Sequence, residues 1–345
     1  MSHTLGATMR REIAEQPQTW ERFLADADTQ LGPVRALLEQ RPPRYVQFVA
    51  RGTSDHAALY GSYLVQTSWG LPAGSASPSV TTVYGASPDL RDVLVVAISQ
   101  SGGSPDLLAV TEQARAAGAT TLAITNAPGS ALAALADVAV DVRAGVEQAV
   151  AATKSYTGEL LALAALFGDP QLRAVLPALP AQAEQVLARA HGPIAVLAGT
   201  YRYATRVVTA GRGFSSASAR EAALKLAETA YISAHGFSAA DLLHGPVAML
   251  DELVPLVLFA SAGPDAPALA ELAELAGARG VSVDVIGDGT VGHGSLPALL
   301  PEGVSPAARP LLEILPAQLL AAGVAAARGY DADAPRGLSK VTQTY

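Results

Sequence analysis

Short apolar runs alternate with longer helical periods along most of the chain. Asp92-Val93-Leu94-Val95-Val96-Ala97-Ile98 is apolar throughout after its first residue. That is the pattern of a strand covered on both faces of a parallel sheet. Tyr45–Ala50, Ala73–Ser77, Thr121–Thr125 and Val138–Val142 read as further strands, and Asp55–Trp69 and Leu107–Ala116 as helices among them. Residues 1–43 read as amphipathic helix, with Arg10, Arg11, Glu12, Glu15 and Glu21 on exposed faces, ended by Arg41-Pro42-Pro43. Strands and helices in alternation predict an α/β fold with a doubly wound parallel sheet. Its ligand belongs at the carboxyl ends of the strands, where Arg51-Gly52-Thr53-Ser54 and Ser99–Ser104 both fall.

The plan repeats 161 residues on. Arg51-Gly52 recurs as Arg212-Gly213, Val93–Ile98 as Val254–Phe259, and Thr121–Thr125 as Ser282–Ile286. A constant offset across these segments reads as two copies of one domain. They are joined by Leu172–Leu187, which carries Pro177 and Pro180. The expected division is a helical segment 1–43, domains 44–171 and 188–328, and a tail 329–345.

Composition narrows the function. The 345 residues are 50% hydrophobic and only 5% aromatic, so Ala, Leu and Val fill the cores. A net charge of −8 argues against a nucleic-acid partner. With no cysteine there is neither a disulfide framework nor a thiolate nucleophile. The N-terminus lacks the apolar segment of a signal peptide, and no apolar run is read as membrane-spanning, so the expected setting is cytoplasmic, away from membranes.

The candidate chemistry starts at Ser99-Gln100-Ser101-Gly102-Gly103-Ser104-Pro105. Ser104 suits an N-cap and Pro105 a first helical position. Hydroxyls beside a helix N-terminus suit a phosphate monoester; the same residues would also make a hydroxyl-rich surface turn. The equivalent turn of the second copy is Ala260-Ser261-Ala262-Gly263, which has lost most of the hydroxyls, so one phosphate site per chain is expected. The second copy carries ionisable groups instead. Glu221, Lys225 and Glu228 fall at i, i+4 and i+7 on one helix face, either a solvated salt-bridge face or part of a site. His244, before Gly245-Pro246, is open to a structural or a catalytic role. The tail Asp331–Tyr345 has no helix or strand pattern and would by itself read as a frayed end.

Taken together and in order, several segments resemble the SIS (sugar isomerase) family. They are Gly52-Thr53-Ser54, Ser99-Gln100-Ser101-Gly102, Val150-Ala151-Ala152-Thr153-Lys154, Gly211-Arg212-Gly213, Glu221–Glu228, Leu243-His244-Gly245-Pro246 and Pro335-Arg336-Gly337-Leu338-Ser339-Lys340. The likeness is to the isomerase half of glutamine–fructose-6-phosphate aminotransferases. It implies two tandem SIS domains, each a flavodoxin-like αβα sandwich, in a homodimer. The glutaminase half of that family, with its cysteine nucleophile, has no counterpart here, which argues against glutamine as nitrogen donor. Arg51 stands where the aminotransferases usually have a cysteine. Arg51-Gly52-Thr53-Ser54-Asp55-His56 and Val341-Thr342-Gln343-Thr344 look more like stand-alone glucosamine-6-phosphate deaminases and fructosamine-6-phosphate deglycases.

The resemblance assigns phosphate binding to Thr53, Ser54, Ser99, Gln100, Ser101 and Ser104. Glu228 is the implied base between C1 and C2, needing partial burial. His244, supplied by a neighbouring subunit, opens the sugar ring. Lys340, on a tail that folds over the sugar, acts as a neutral amine at the carbonyl. Gly52, Val150, Glu221, Lys225, Arg336 and Ser339 contact or support the sugar. The expected substrate is a hexosamine or hexose 6-phosphate, with no metal or organic cofactor. The expected reaction is glucosamine 6-phosphate plus water to fructose 6-phosphate plus ammonia. The alternatives are a fructosamine-6-phosphate deglycase and a non-catalytic sugar-phosphate sensor.

Overall fold

The computed structural model describes residues 4–292 and 294–340; the tail's Val341-Thr342-Gln343-Thr344 lies outside the described residues. The chain forms two compact units. The first-repeat unit takes residues 18–147, 154–177 and 339–340, and the second-repeat unit takes 4–17, 148–153 and 178–338. The expected four-segment division is therefore interleaved: the N-terminal segment and the tail are each split between the units.

In the first-repeat unit, five parallel strands are β1 (Tyr45–Val49), β2 (Ala73–Ser75), β3 (Val93–Ser99), β4 (Thr120–Thr125) and β5 (Val138–Asp141). Their order is β2-β1-β3-β4-β5. The central β3 is buried along nearly all its length, as its unbroken apolar run requires. Val49, Val95, Ala97 and Ala123 pack under Leu107, Val110 and Ala114 of the helix Pro105–Ala116. On another side of the core, the Phe48 and Phe167 rings meet edge to face at 6.1 Å. Phe48 lies so close to Gly61 that a Cβ there would come within 2.8 Å of its ring. The chain leaves β1 in opposite directions to β2 and β3, so the switch crevice lies between β1 and β3. The helix after β1 starts at Thr53, two residues earlier than expected, because Gly52 turns the backbone at φ +56°. It ends in one π-helical turn, Val65–Trp69.

The second-repeat unit holds β6 (Arg206–Gly211), β7 (Ser233–Ser238), β8 (Leu256–Phe259) and β9 (Val283–Ile286), parallel and ordered β7-β6-β8-β9. The 161-residue offset survives in the register. Gln47 pairs with Val95, and Val208 pairs with Leu256. It slips by one at the next strand, where Val95↔Thr121 becomes Leu256↔Val283. Expected strand Val254–Phe259 begins at Leu256, because Pro255 has no N–H for a ladder.

The joining segment Leu172–Leu187 is largely helical: Pro170–Val175 is one helix, and Pro180 sits in the first turn of Leu179–Tyr201. Three expectations are corrected. Glu12 is buried, not exposed, because its carboxylate accepts the Gln148 and Ala149 amides. The start of the tail is tied, not frayed: Asp331 and Asp333 accept the amides of Gly6 (2.9 Å), Thr8 (2.8 Å) and Met9 (2.7 Å) at the start of the helix Ala7–Ala14. Finally, Arg309–Ala327 is long and apolar enough to cross a membrane by length and composition, but 78% of that window is buried in the protein.

Candidate functional site

The carboxyl end of the first sheet gathers the hydroxyl groups. Gly102, at φ +59°, holds the turn after β3, and a Cβ there would fall 2.0 Å from Ser130 Oγ, so only glycine fits. Ser99 Oγ accepts the Gly102 amide at 3.1 Å, and Ser101 Oγ accepts the Gly103 amide at 3.4 Å. Those two amides are thus already engaged within the turn. Ser104 takes the N-cap position before Pro105, but its side chain makes no capping bond. Gln100 is pinned by its carbonyl, which accepts Asn126 N at 3.3 Å and Thr125 Oγ1 at 3.4 Å. Thr53 opens the neighbouring helix, half-buried. Ser54 is placed differently from its expected role: it is buried and donates to Glu159 Oε1 at 2.9 Å, inside the unit. Arg51 Nε reaches Asp106 Oδ2 at 2.6 Å, joining the end of β1 to the first turn of the helix after β3.

The loop leaving β5 supplies a carboxylate at the same end of the sheet. Asn126, after β4, fixes that loop by donating to Gly145 O at 2.7 Å and accepting Ala144 N at 3.0 Å. Two residues on, buried Glu147 accepts Ser155 Oγ at 2.7 Å, Ser155 N at 3.1 Å and Lys340 Nζ at 2.8 Å. Lys340 is therefore found in contact with a buried carboxylate. Ser339, before it, is exposed.

In the second-repeat unit, the helix Ser215–Ala230 carries the charged face. Lys225 Nζ lies 3.4 Å from Glu221 and 2.5 Å from Glu228 Oε2. Glu221 and Lys225 are buried, so this is no solvated face, whereas Glu228 is 24% exposed. Burial works against the Lys225 ammonium, but Glu221 and Glu228 outweigh it and hold the amine charged above the ordinary lysine range. Lys225 thereby holds Glu228 in a fixed orientation at the partly exposed end of the array. The helix ends at Tyr231 with φ +54°. Arg336 of the tail lies over that ring at 4.1 Å, and its amide donates to the Tyr231 hydroxyl at 2.7 Å. His244 caps the short helix Ala239–Leu243 and is exposed. Val150 is half-buried in the loop 148–153.

The second copy of the turn is filled from within. Ala262 N, the counterpart of Ser101 N, donates to Asp288 at 3.0 and 3.3 Å, and Asp288 N donates to Ser261 Oγ at 3.2 Å. Arg309 donates to Ala262 O and pairs with Asp265 at 3.1 Å. A built-in carboxylate sits where an anion would have to approach.

A cavity of about 940 Å³ opens elsewhere, lined by Arg41, Asp89, Arg91, Arg115, Thr120 and Asp137. It lies at the amino ends of β3 and β4, and Arg91–Asp89 and Arg115–Asp137 pair within it. Open parallel sheets take ligands at the other end. Among the described residues, no group of three or more His, Asp or Glu is placed to hold a metal. Asp106, Glu147, Glu159 and Asp288 went unread in the sequence. Only Glu147 carried a local signal, as a lone carboxylate just ahead of the Val150–Lys154 segment.

A doubly wound parallel sheet with a hydroxyl-lined turn at its switch crevice places the chain among α/β proteins. The SIS domain matches residues 41–168 and 200–290, and the chain belongs to that family. It is 36% identical over 355 residues to the glutamine–fructose-6-phosphate aminotransferase (isomerizing) of Gloeobacter violaceus, covering 96% of this chain and 58% of the relative. The chain thus spans little more than half the length of that relative. A solved candidate phosphosugar isomerase from Silicibacter pomeroyi DSS-3 is 36% identical, with a TM-score of 0.83, over 94% of this chain and 99% of that one. Glucosamine-6-phosphate deaminase from Thermotoga maritima superposes with a TM-score of 0.80 over 98% of this chain and 100% of that one, at 22% identity. At that identity the likeness is one of fold.

Proposed function

We propose that the chain is an amino-sugar phosphate isomerase that releases ammonia, converting glucosamine 6-phosphate and water to fructose 6-phosphate and ammonia. The single observation that carries the reading is the Lys225–Glu228 contact at 2.5 Å. A fully buried lysine holding a partly exposed carboxylate is costly for a protein that only binds its ligand. It suits one that needs an oriented base. SIS membership and the near-complete match to a candidate phosphosugar isomerase also support it.

In this reading Ser99, Gln100, Ser101 and Ser104, with Thr53, hold the phosphate, and Ser54 supports them through Glu159. Gly52, Val150, Glu221, Arg336 and Ser339 border or brace the sugar. His244 assists ring opening. Glu228 takes the C2 proton of the open-chain aldehyde and returns it at C1, while a proton passes from the amine nitrogen to O1, which leaves a C2 imine and a C1 hydroxyl. Water adds to that imine carbon and ammonia departs, leaving the C2 carbonyl of fructose 6-phosphate. Lys340, positioned by Glu147, assists as an amine at the carbonyl. Proton transfers and water suffice for this sequence. The protein works in the cytoplasm as a homodimer, with His244 serving the site of the second copy. Recovery of activity on mixing Glu228→Gln with His244→Ala chains tests that arrangement; no recovery in a verified mixed dimer contradicts it.

The substrate is tested by ammonia release across glucosamine, galactosamine and N-substituted hexosamine 6-phosphates, with fructosamine 6-phosphates alongside. Release from glucosamine 6-phosphate is expected. Release of a free amine only from fructosamine 6-phosphates makes the protein a deglycase instead.

A further inference from the structure

A phosphate monoester carries close to two negative charges at neutral pH. The turns read as its cradle, residues 52–54 and 99–104, contain hydroxyls, an amide and glycines but no cation. The residue that borders both turns is Arg51. Its Nε lies 2.6 Å from Asp106 Oδ2, and Asp106 is almost fully buried in the first turn of the helix Pro105–Ala116. Among the described residues Asp106 is the partner of Arg51 through Nε, which leaves the two terminal guanidinium nitrogens uncommitted on a half-exposed side chain. The pair crosses the β1–β3 switch crevice, where a ligand of this fold class sits. Asp106 alone would repel an anion at that helix start, whereas Arg51 reverses the local sign.

We infer that Arg51 is the cationic phosphate contact of this site, held by Asp106 through Nε so that its terminal nitrogens face the cradle. The inference rests on the phosphate reading above and adds selectivity to it: the site prefers the dianion of a phosphate monoester over a monoanion. A planar guanidinium, with one edge fixed by a carboxylate and two nitrogens left over, suits that recognition better than an ammonium would.

The rival role for Arg51 is neutralising Asp106 alone, and the two roles separate in one experiment. Binding of fructose 6-phosphate is measured by calorimetry from pH 5 to 8 for wild type, Arg51→Gln, Arg51→Gln/Asp106→Asn and Ser99→Ala/Ser101→Ala, with circular dichroism as a folding check. Arg51→Gln is expected to weaken binding roughly 10- to 100-fold, as loss of a charge-assisted contact does. The double Arg51→Gln/Asp106→Asn variant removes the carboxylate as well, which keeps the test open should Arg51→Gln misfold. It should stay equally weak and lose the gain in affinity as the phosphate ionises near pH 6. Wild-type affinity in that double variant, with binding lost in Ser99→Ala/Ser101→Ala, overturns the role of Arg51 and leaves the phosphate reading intact. Absence of binding by wild type overturns both.

Discussion

Lys340 Nζ stands 2.8 Å from Glu147 Oε2, joining residues 193 positions apart in sequence. The lysine is a quarter exposed, while the carboxylate is fully buried and also receives both the hydroxyl and the amide of Ser155. The buried partner therefore fixes the geometry, and the tail lysine comes to it. Glu147 thus sets the position of the tail amine.

Glu147→Gln removes the carboxylate that positions Lys340 and should lower kcat roughly 10-fold or more, with a smaller change in KM. Lys340→Arg keeps the charge but cannot supply an amine, so it should lose turnover and keep the fold. Steady-state kinetics with thermal melts separates the effects. Full kcat in Lys340→Arg would remove Lys340 from the chemistry.

Lys225 sits between two carboxylates, one fully buried. Lys225→Met strips the compensating ammonium from buried Glu221 and should cost about 3–5 kcal/mol of stability. Lys225→Arg should recover part of it. Denaturant titration at pH 7 reads both values; a loss under about 1 kcal/mol for Lys225→Met contradicts the buried-array account.

Glu313 is buried on the helix Arg309–Ala327 with Ser215 Oγ at 3.1 Å, and burial pushes its carboxyl up to about 7 from an ordinary 4.5, hydroxyl contacts offsetting only part. In the folded chain it keeps its proton between those values, whereas the unfolded chain has lost it. Stability supplied by the neutral form is therefore complete below pH 4.5, falls as pH rises, and is gone above about 7. The total is about 3 kcal/mol. Glu313→Gln should match wild type at pH 4.5 and exceed it by up to that amount at pH 8. Parallel stability curves for the two proteins would contradict the burial argument.

One anion per chain is expected, because Asp288 already occupies the Ala262 amide of the second turn. Calorimetric titration with a hexose 6-phosphate should give a stoichiometry near one. Ser99→Ala/Ser101→Ala should abolish that binding, while Ala262→Ser should not add a second site. Two equivalent sites in wild type would show that the second turn is open.

Strand positions were the most legible part of the sequence, since a run such as Val93–Ile98 has no other stable environment than a covered sheet. The repeat was legible because equivalent strands keep equivalent faces, down to the shared register of Gln47↔Val95 and Val208↔Leu256. Glu221, Lys225 and Glu228 were legible as one helix face, but not as a buried one. Helical spacing reports which side chains share a face, and what covers that face is set by distant segments. The same limit hid Glu147 and Asp106, whose partners lie 193 and 55 residues away. Ser54 shows the converse: a hydroxyl beside a ligand-type turn was claimed by buried Glu159, which only the packing of the helix Lys154–Phe167 brings to it.

The central claim is that Glu228 moves the proton whose transfer ends in ammonia loss. The direct test is simultaneous measurement of ammonia and fructose 6-phosphate formed from glucosamine 6-phosphate by wild type and by Glu228→Gln. The account predicts the two products in equal amounts from wild type. It predicts a kcat lower by roughly 10²–10⁴ in Glu228→Gln, with substrate binding retained. Tight binding of hexosamine 6-phosphates by wild type with no ammonia from any of them would contradict it, and would make the protein a sugar-phosphate sensor.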